Sequence, residues 1–177
     1  MVLQPRRPMV LLDRDGVLNI DTGYPHKPED IVWTEGVFEA LTLLASRGYR
    51  LVVVTNQSGV ARGYFSEADL LQLHDWMARE FGRRGLAIDA FLYSPTHPEA
   101  SIAAYRMDHE DRKPRPGMIT RAFARFPTDE SASFLVGDRQ SDMEAARAAG
   151  IAGYLFEGGR LDDFVQSILS GTRAANA

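Results

Sequence analysis

Residues 9–16 read Met-Val-Leu-Leu-Asp-Arg-Asp-Gly, with Pro8 just ahead of them. Four apolar residues end abruptly in two carboxylates and a glycine, the pattern of a buried strand emptying into a loop. The same change of character recurs down the chain. Leu51–Val54 runs into Thr55-Asn56-Gln57-Ser58-Gly59, and Ser133–Val136 into Gly137-Asp138. Ile88–Tyr93 and Ile151–Phe156 read as two further strands. Between the strands, Val37, Leu41 and Leu44, backed by Ala40 and Leu43, share one helical face that stops at Gly48. Ser66, with Asp69 three residues on, opens a helix whose buried stripe is Leu70, Leu73, Met77 and Phe81. Further helices are predicted from about Pro116 to Phe126, from Ser141 (capped with Glu144) to Gly150, and over Leu161–Leu169.

Strands alternating with helices at this spacing predict an α/β fold. It is a Rossmann-like parallel sheet of about five strands with helices on both faces and no large cap domain. Right-handed crossovers put every strand's C-terminal end on one edge, where such sheets bind ligands. The 177 residues suit one domain. Its core is expected over about 9–169, with a loose tail over 170–177.

Composition narrows the function classes. With 45% hydrophobic and 25% charged residues the chain is globular rather than disordered. A net charge of −4 gives no general attraction for nucleic acid or an anionic membrane, so any anion site must be built locally. The absence of cysteine excludes disulfides, thiolate zinc sites and cysteine nucleophiles. No stretch is long enough to span a bilayer, and no signal-like segment precedes the first charged motif. A cytoplasmic location is expected, and with no coiled-coil pattern a monomer.

The polar clusters carry the chemistry. Asp13 and Asp15 repel at a strand end unless a cation neutralises them, although an Asx-type turn closed by Gly16 would also use these residues. In the chemical reading Asp13 attacks phosphorus and Asp15 handles the proton, with magnesium bridging Asp13 and the phosphate. Thr55 and Asn56 either cap a turn or aim donors at phosphate oxygens. Lys113, ahead of a helix, is either a solvated charge or a counter-charge for a phosphoryl group. Asp138 suits a magnesium ligand. Asp142 fits either a ligand or a partner of the helix dipole.

The order D-x-D-G-x-x-N, T-N-Q-S-G, R-K-P-x-P-G-M and G-D-x-x-x-D resembles the haloacid-dehalogenase-like (HAD) phosphatase superfamily. Within it, the chain resembles the branch holding heptose-bisphosphate and histidinol-phosphate phosphatases. The likeness runs from about Val10 to Gly150, and the stretch from Val53 to Gly63 is specific to that branch. The resemblance implies Asp13 as nucleophile, Asp15 as general acid and base, and Thr55 and Lys113 holding the phosphoryl group. It implies Mg2+ on Asp13, the Asp15 backbone carbonyl and Asp138, with Asp142 less defined. It places Asp21, Thr22, Gly23 and Tyr24 on a substrate-facing flap, and Asn56, Gln57, Ser58, Arg62, Arg112 and Arg139 at the substrate. An aspartate at position 15 implies turnover by hydrolysis rather than a long-lived phosphoenzyme.

Two features depart from the family. Many members of the branch hold a structural zinc with three cysteines and a histidine, where this chain has Ser94, Thr96, His109 and Asp111. Hydroxyls are poor zinc ligands, so no structural zinc is expected, and a metal caught by His97, His109 and Asp111 is the lesser alternative. Arg139 stands where many relatives carry lysine. The implied substrate is a small phosphorylated metabolite. D-glycero-D-manno-heptose 1,7-bisphosphate losing its C7 phosphate comes first, and histidinol phosphate second. A non-catalytic phosphosugar-binding module and a phosphotransferase are the alternatives of other classes.

Overall fold

The computed structural model describes residues 5–176. Strands β1 (Met9–Leu12), β2 (Arg50–Asn56), β3 (Ala90–Ser94), β4 (Phe134–Gly137) and β5 (Ala152–Leu155) form one sheet in the order β3-β2-β1-β4-β5. Every pairing is parallel. The helices are α1 (Val37–Ser46), α2 (Ser58–Ala61), α3 (Glu67–Gly82), α4 (Gly117–Arg125), α5 (Gln140–Ala148) and α6 (Leu161–Leu169). All predicted strands and helices are present. Among the described residues the short α2, which begins inside the Thr-Asn-Gln-Ser-Gly motif, is the one α-helix not foreseen.

The strands read as unbroken apolar runs because both faces of the sheet are covered. Val10, Leu12, Val53 and Val136 pack against α1, α3 and α6 on one face. Met9, Leu11, Val52, Val54 and Leu135 pack against α4 and α5 on the other. Each such side chain, fully buried, contributes roughly 1.5–3 kcal/mol, so the centre of the sheet is its most rigid part.

That rigidity matters because of the route of the chain. It leaves β1 outward to β2 and β3, then returns to β4 beside β1 and ends at β5. The order therefore reverses between β1 and β4, and a crevice opens there beyond their C-terminal ends. The Asp13 amide still donates to Val136 O at 3.0 Å, which fixes Asp13 one residue past β1.

Two long connections overhang this edge. Residues 13–36 form a flap whose limbs pair through Asn19 and Trp33, and residues 95–116 link β3 to α4. Among the described residues neither carries more than single turns of 3-10 helix, at Pro28–Asp30 and Ala103–Tyr105.

Three local details bear on the expectations. The Ser66 capping box forms as predicted, with Asp69 N donating to Ser66 Oγ at 3.1 Å and Ser66 N to Asp69 Oδ2 at 2.8 Å. The Ser141 and Glu144 cap does not form. Helix α5 starts earlier because the short Asp142 carboxylate reaches back to accept from Arg139 N at 3.0 Å. One residue of the expected tail touches the sheet. Asn176 N donates to Gly153 O and Leu155 N to Asn176 Oδ1, both at 2.8 Å, so the tail covers polar groups on the outer edge of β5. Ala177 lies outside the described residues. Among the described residues no helix is long and apolar enough to cross a membrane.

Candidate active site

Past β1 the chain folds back at once, with Leu18 N and Asn19 N both donating to Arg14 O, at 2.8 and 3.1 Å. Gly16 sits at φ 87°, and a Cβ there would collide with the Asp138 carboxylate. Glycine is thus required twice over, for the turn and for letting the loops after β1 and β4 touch. Gly137 plays the same spatial part against the Asp142 side chain.

At the bottom of the crevice, oxygens of Asp13, Asp138 and Asp142 lie within 4.8 Å of one another. One ammonium faces them. Lys113, only 3% exposed, places Nζ 3.1 Å from Asp13 Oδ1 and 2.5 Å from Asp142 Oδ1, and donates to Val54 O at 2.9 Å. The Asp142 contact is a close ion pair rather than an aligned hydrogen bond. Burial pushes Asp13 up to about 7 despite the pull of Lys113, with Asp142, Asp15 and Asp138 adding to the rise. Burial also raises Asp138, helped by Asp142. Burial alone would lower Lys113, but Asp13 and Asp142 together hold it above its ordinary value. Lys113 pairs with Asp13 and Asp142, Asp138 faces Arg139 Nε at 3.9 Å, and the buried Asp138 Oδ1 has no hydrogen-bond partner among the described residues. Such a set of hard oxygen donors, short of positive charge, fits a magnesium ion.

Asp15 stands apart from that cluster and is held by four donors. Arg14 Nε and Asn19 Nδ2 reach Oδ1, both at 2.9 Å. Arg14 Nη2 at 3.0 Å and Gln57 Nε2 at 2.9 Å reach Oδ2. Gln57 Nε2 also donates to Thr55 Oγ1 at 2.9 Å, which leaves the Thr55 hydroxyl hydrogen free to donate into the crevice.

Some expected substrate contacts are committed elsewhere. Asn56 lines the cavity, but its Nδ2 donates to Lys113 O at 2.9 Å and its Oδ1 accepts from Lys113 N at 3.0 Å. It clamps the backbone that carries the lysine, rather than reaching for a ligand. Gln57 also lines the cavity, with its amide donor on Asp15 and Thr55. Thr22 is exposed and, with Arg62, lies outside the cavity wall.

Of the other expected residues, Asp13, Asp15, Asp21, Gly23, Tyr24, Thr55, Ser58, Arg112, Lys113, Arg139 and Asp142 line one cavity of about 450 Å³, while Asp138 belongs to the acid cluster but not to the cavity wall. Arg139 Nη2 ties the flap to the β4 loop by donating to Asp21 Oδ2 at 3.0 Å. Arg112 donates to Thr96 O at 2.9 Å and has no carboxylate partner among the described residues. Burial, then the neighbouring Arg62, hold it below the usual guanidinium range.

Residues 111–165, which carry the Lys113 and Asp138 motifs, match the HAD-hydrolase-like family. A D-glycero-beta-D-manno-heptose-1,7-bisphosphate 7-phosphatase of Rhodopseudomonas palustris is 47% identical over 165 residues, 93% of this chain and 92% of that one. The chain belongs to the HAD-like phosphatases. A Burkholderia mallei relative, named for the alpha anomer, is 46% identical over 80% of this chain and 75% of its own length. The crystal structure of a D,D-heptose 1,7-bisphosphate phosphatase from B. bronchiseptica, complexed with magnesium and phosphate, superposes with a TM-score of 0.77. It is 31% identical and the match covers 93% of this chain and 99% of that one.

In this HAD-like phosphatase the connection after β3 is held by ordinary side-chain contacts. Ser94 Oγ and Thr96 Oγ1 share a hydrogen bond of 3.0 Å, Asp111 N donates to His109 Nδ1 at 3.1 Å, and Asp111 pairs with Arg121. Two residues that organise the site went unassigned by sequence reasoning. Asn19 carried a signal, as the last position of the first motif, but Arg14 carried none: an arginine between two aspartates in a loop reads as solvated.

Proposed function

We propose that this HAD-like phosphatase hydrolyses the C7 phosphate of D-glycero-D-manno-heptose 1,7-bisphosphate through an aspartyl phosphate on Asp13. The supporting observation is the division of labour between two carboxylates two residues apart on one cavity. Asp13 is packed with Lys113 and the other acids, while Asp15 is held separately by its four donors. Asp13 attacks phosphorus and the ester P–O bond breaks. Asp15 gives its proton to the departing alkoxide, then takes one from the water that cleaves the aspartyl phosphate. Thr55 O–H and the Lys113 ammonium meet the phosphoryl oxygens. Asp13, Asp138 and the Asp15 carbonyl would hold magnesium, with Asp142 engaged by Lys113 beside them. When bound, the ion supplies positive charge against the phosphoryl oxygens and the clustered carboxylates.

Arg112 favours the heptose bisphosphate over histidinol phosphate. It is a half-buried cation on the cavity wall with no carboxylate partner among the described residues, crowded by Arg62, which suits a second anionic group and repels an aminoalkyl imidazole. Phosphate release from the two compounds tests this directly. The expected result is a higher kcat/KM for the bisphosphate, and equal or better turnover of histidinol phosphate would overturn the choice of substrate.

Metal binding carries a pH signature. With Asp13 pushed up to about 7, a cation seated on its carboxylate must displace a proton below that pH. The apparent magnesium affinity is expected to rise about tenfold per pH unit up to about pH 7 and then level off. Calorimetry in buffers of different ionisation enthalpy counts the released proton. A dissociation constant that stays flat from about pH 5.5 to about pH 8 would refute it.

The proposal includes no structural zinc, since the loop after β3 has Ser94, Thr96 and Asp111 bonded to protein partners. Exhaustive chelation followed by magnesium should restore full activity, with a melting midpoint unchanged within about 2 °C. Stoichiometric zinc in the purified protein, by elemental analysis, would contradict this. The proposal also includes a monomer acting in the cytoplasm, the first part of which light scattering tests.

A further inference from the structure

Arg14 is wholly buried between the two acids of the first motif. A guanidinium removed from water must find acceptors for its donors, or its charge is costly. Nε and Nη2 grip the two oxygens of Asp15 at 2.9 and 3.0 Å. Nη2 also donates to Pro25 O, in the flap, at 2.7 Å. On the remaining side Nη1 faces His74 Nε2 at 3.3 Å.

His74 comes from α3, far from the crevice in sequence, and is itself buried. Its ring stacks on Phe91 with centroids 4.8 Å apart and meets Tyr93 edge-on at 5.9 Å. Burial, then the charge of Arg14, depress its pKa to about 3, so the imidazole is neutral. Facing a donor, Nε2 presents its lone pair, which assigns the proton to Nδ1, a buried atom with no hydrogen-bond partner among the described residues. A neutral acceptor on that side satisfies Arg14 without competing for its charge, and the fork is left to Asp15.

The consequence concerns orientation. Asn19 and Gln57 each hold one oxygen of Asp15 through a single neutral contact, whereas Arg14 spans both oxygens with charge-assisted ones. A bidentate guanidinium fixes the carboxylate plane. We propose that Arg14, braced by His74, is the positioning residue that sets Asp15 for proton transfer and links it to the flap through Pro25. The inference rests on the reading of Asp15 as the acid that protonates the leaving oxygen, for which one of its four contacts must open to admit the proton, since donors now fill both oxygens.

A structural role and a positioning role separate by leaving group. An alkoxide needs a proton as it departs, whereas p-nitrophenolate leaves without one. For Arg14→Gln, kcat/KM on the heptose bisphosphate is expected to fall ~10²-fold while that on p-nitrophenyl phosphate falls less than ~5-fold. Equal losses on both esters, or no loss on either, overturn the proposal. Asp15→Asn measured alongside separates the two claims. If it shows no leaving-group bias, the reading of Asp15 fails and the positioning role goes with it. If it shows the bias and Arg14→Gln does not, the positioning role alone is overturned. Should Arg14→Gln fail to fold by circular dichroism, His74→Leu decides. It keeps the apolar packing on Phe91 and removes the acceptor of Nη1. A bias of about fivefold in the same direction is expected, and its absence overturns the proposal.

Discussion

Asp13→Asn is expected to cut phosphate release by at least ~10⁴-fold and to leave the protein folded. Asparagine is nearly isosteric and can still accept the Arg14 N–H that reaches Asp13 Oδ1 at 2.8 Å, so the turn survives. What is lost is the anionic oxygen that forms the bond to phosphorus, and no neighbour replaces it. Asp138 and Asp142 lie close, but Asp142 is engaged by Lys113, and Asp138 projects from the neighbouring strand's loop. Stability should move the other way from activity. The folded pKa of Asp13, about 7, lies well above the ordinary range of an aspartate. A carboxyl raised in this manner costs nothing below about pH 4, where it is protonated in both states. The cost grows as pH climbs towards the folded value, because only the unfolded chain then ionises freely. In metal-free buffer Asp13→Asn should therefore unfold at higher denaturant than the parent at about pH 8, with the gap closing near pH 4. Near-parental turnover would remove the covalent mechanism. A variant that still binds phosphosugar, from a parent that never releases phosphate, would instead identify a non-catalytic binding module.

The edge of the sheet was legible in the sequence because its signals are local. Four apolar residues before Asp13, the β-branched run before Thr55 and the short run before Gly137 each announce a buried strand and its end. Parallel topology then gathers the polar residues without further information. What stayed hidden was the direction in which each side chain points. Asn56 and Gln57 lie in the motif most specific to the branch and line the cavity, yet their amide donors are engaged by Lys113, Asp15 and Thr55. Donor chemistry is the same in both cases, and only the folded rotamer separates them. Arg14 shows the sharper form of this problem. Its burial depends on His74 and Pro25, which arrive from α3 and the flap, so nothing in its own neighbourhood marks it. Asp142 was ambiguous for a physical reason: it does two things at once, capping α5 with Oδ2 and pairing with Lys113 through Oδ1. The Asn176 contact on β5 escaped notice because a single side chain mimics a backbone pairing there.

Lys113→Met is expected to be as inactive as Asp13→Asn, and unlike it, unstable. Methionine fills much the same volume but leaves Asp13 and Asp142 facing each other without their ammonium. Removing one partner of a buried ion pair costs about 3–5 kcal/mol, since the remaining charge is neither solvated nor paired. Taking away the one group that lowers Asp13 against its burial also moves that carboxyl further up. By the same sign as before, the penalty is smaller at about pH 5, where a raised carboxyl stays protonated, and larger at about pH 8. A second substitution separates charge from shape. Asp142→Asn keeps the acceptor for Arg139 N and so keeps the start of α5, while it deletes one of the stranded charges. The double variant Lys113→Met/Asp142→Asn should recover a substantial part of the lost stability and none of the activity, because the phosphoryl oxygens still lack their ammonium. Urea midpoints at the two pH values, with phosphate release on the same preparations, give the complete cycle. If the double variant is no more stable than Lys113→Met, the destabilisation comes from packing, and Lys113 is not the charge that holds these carboxylates together.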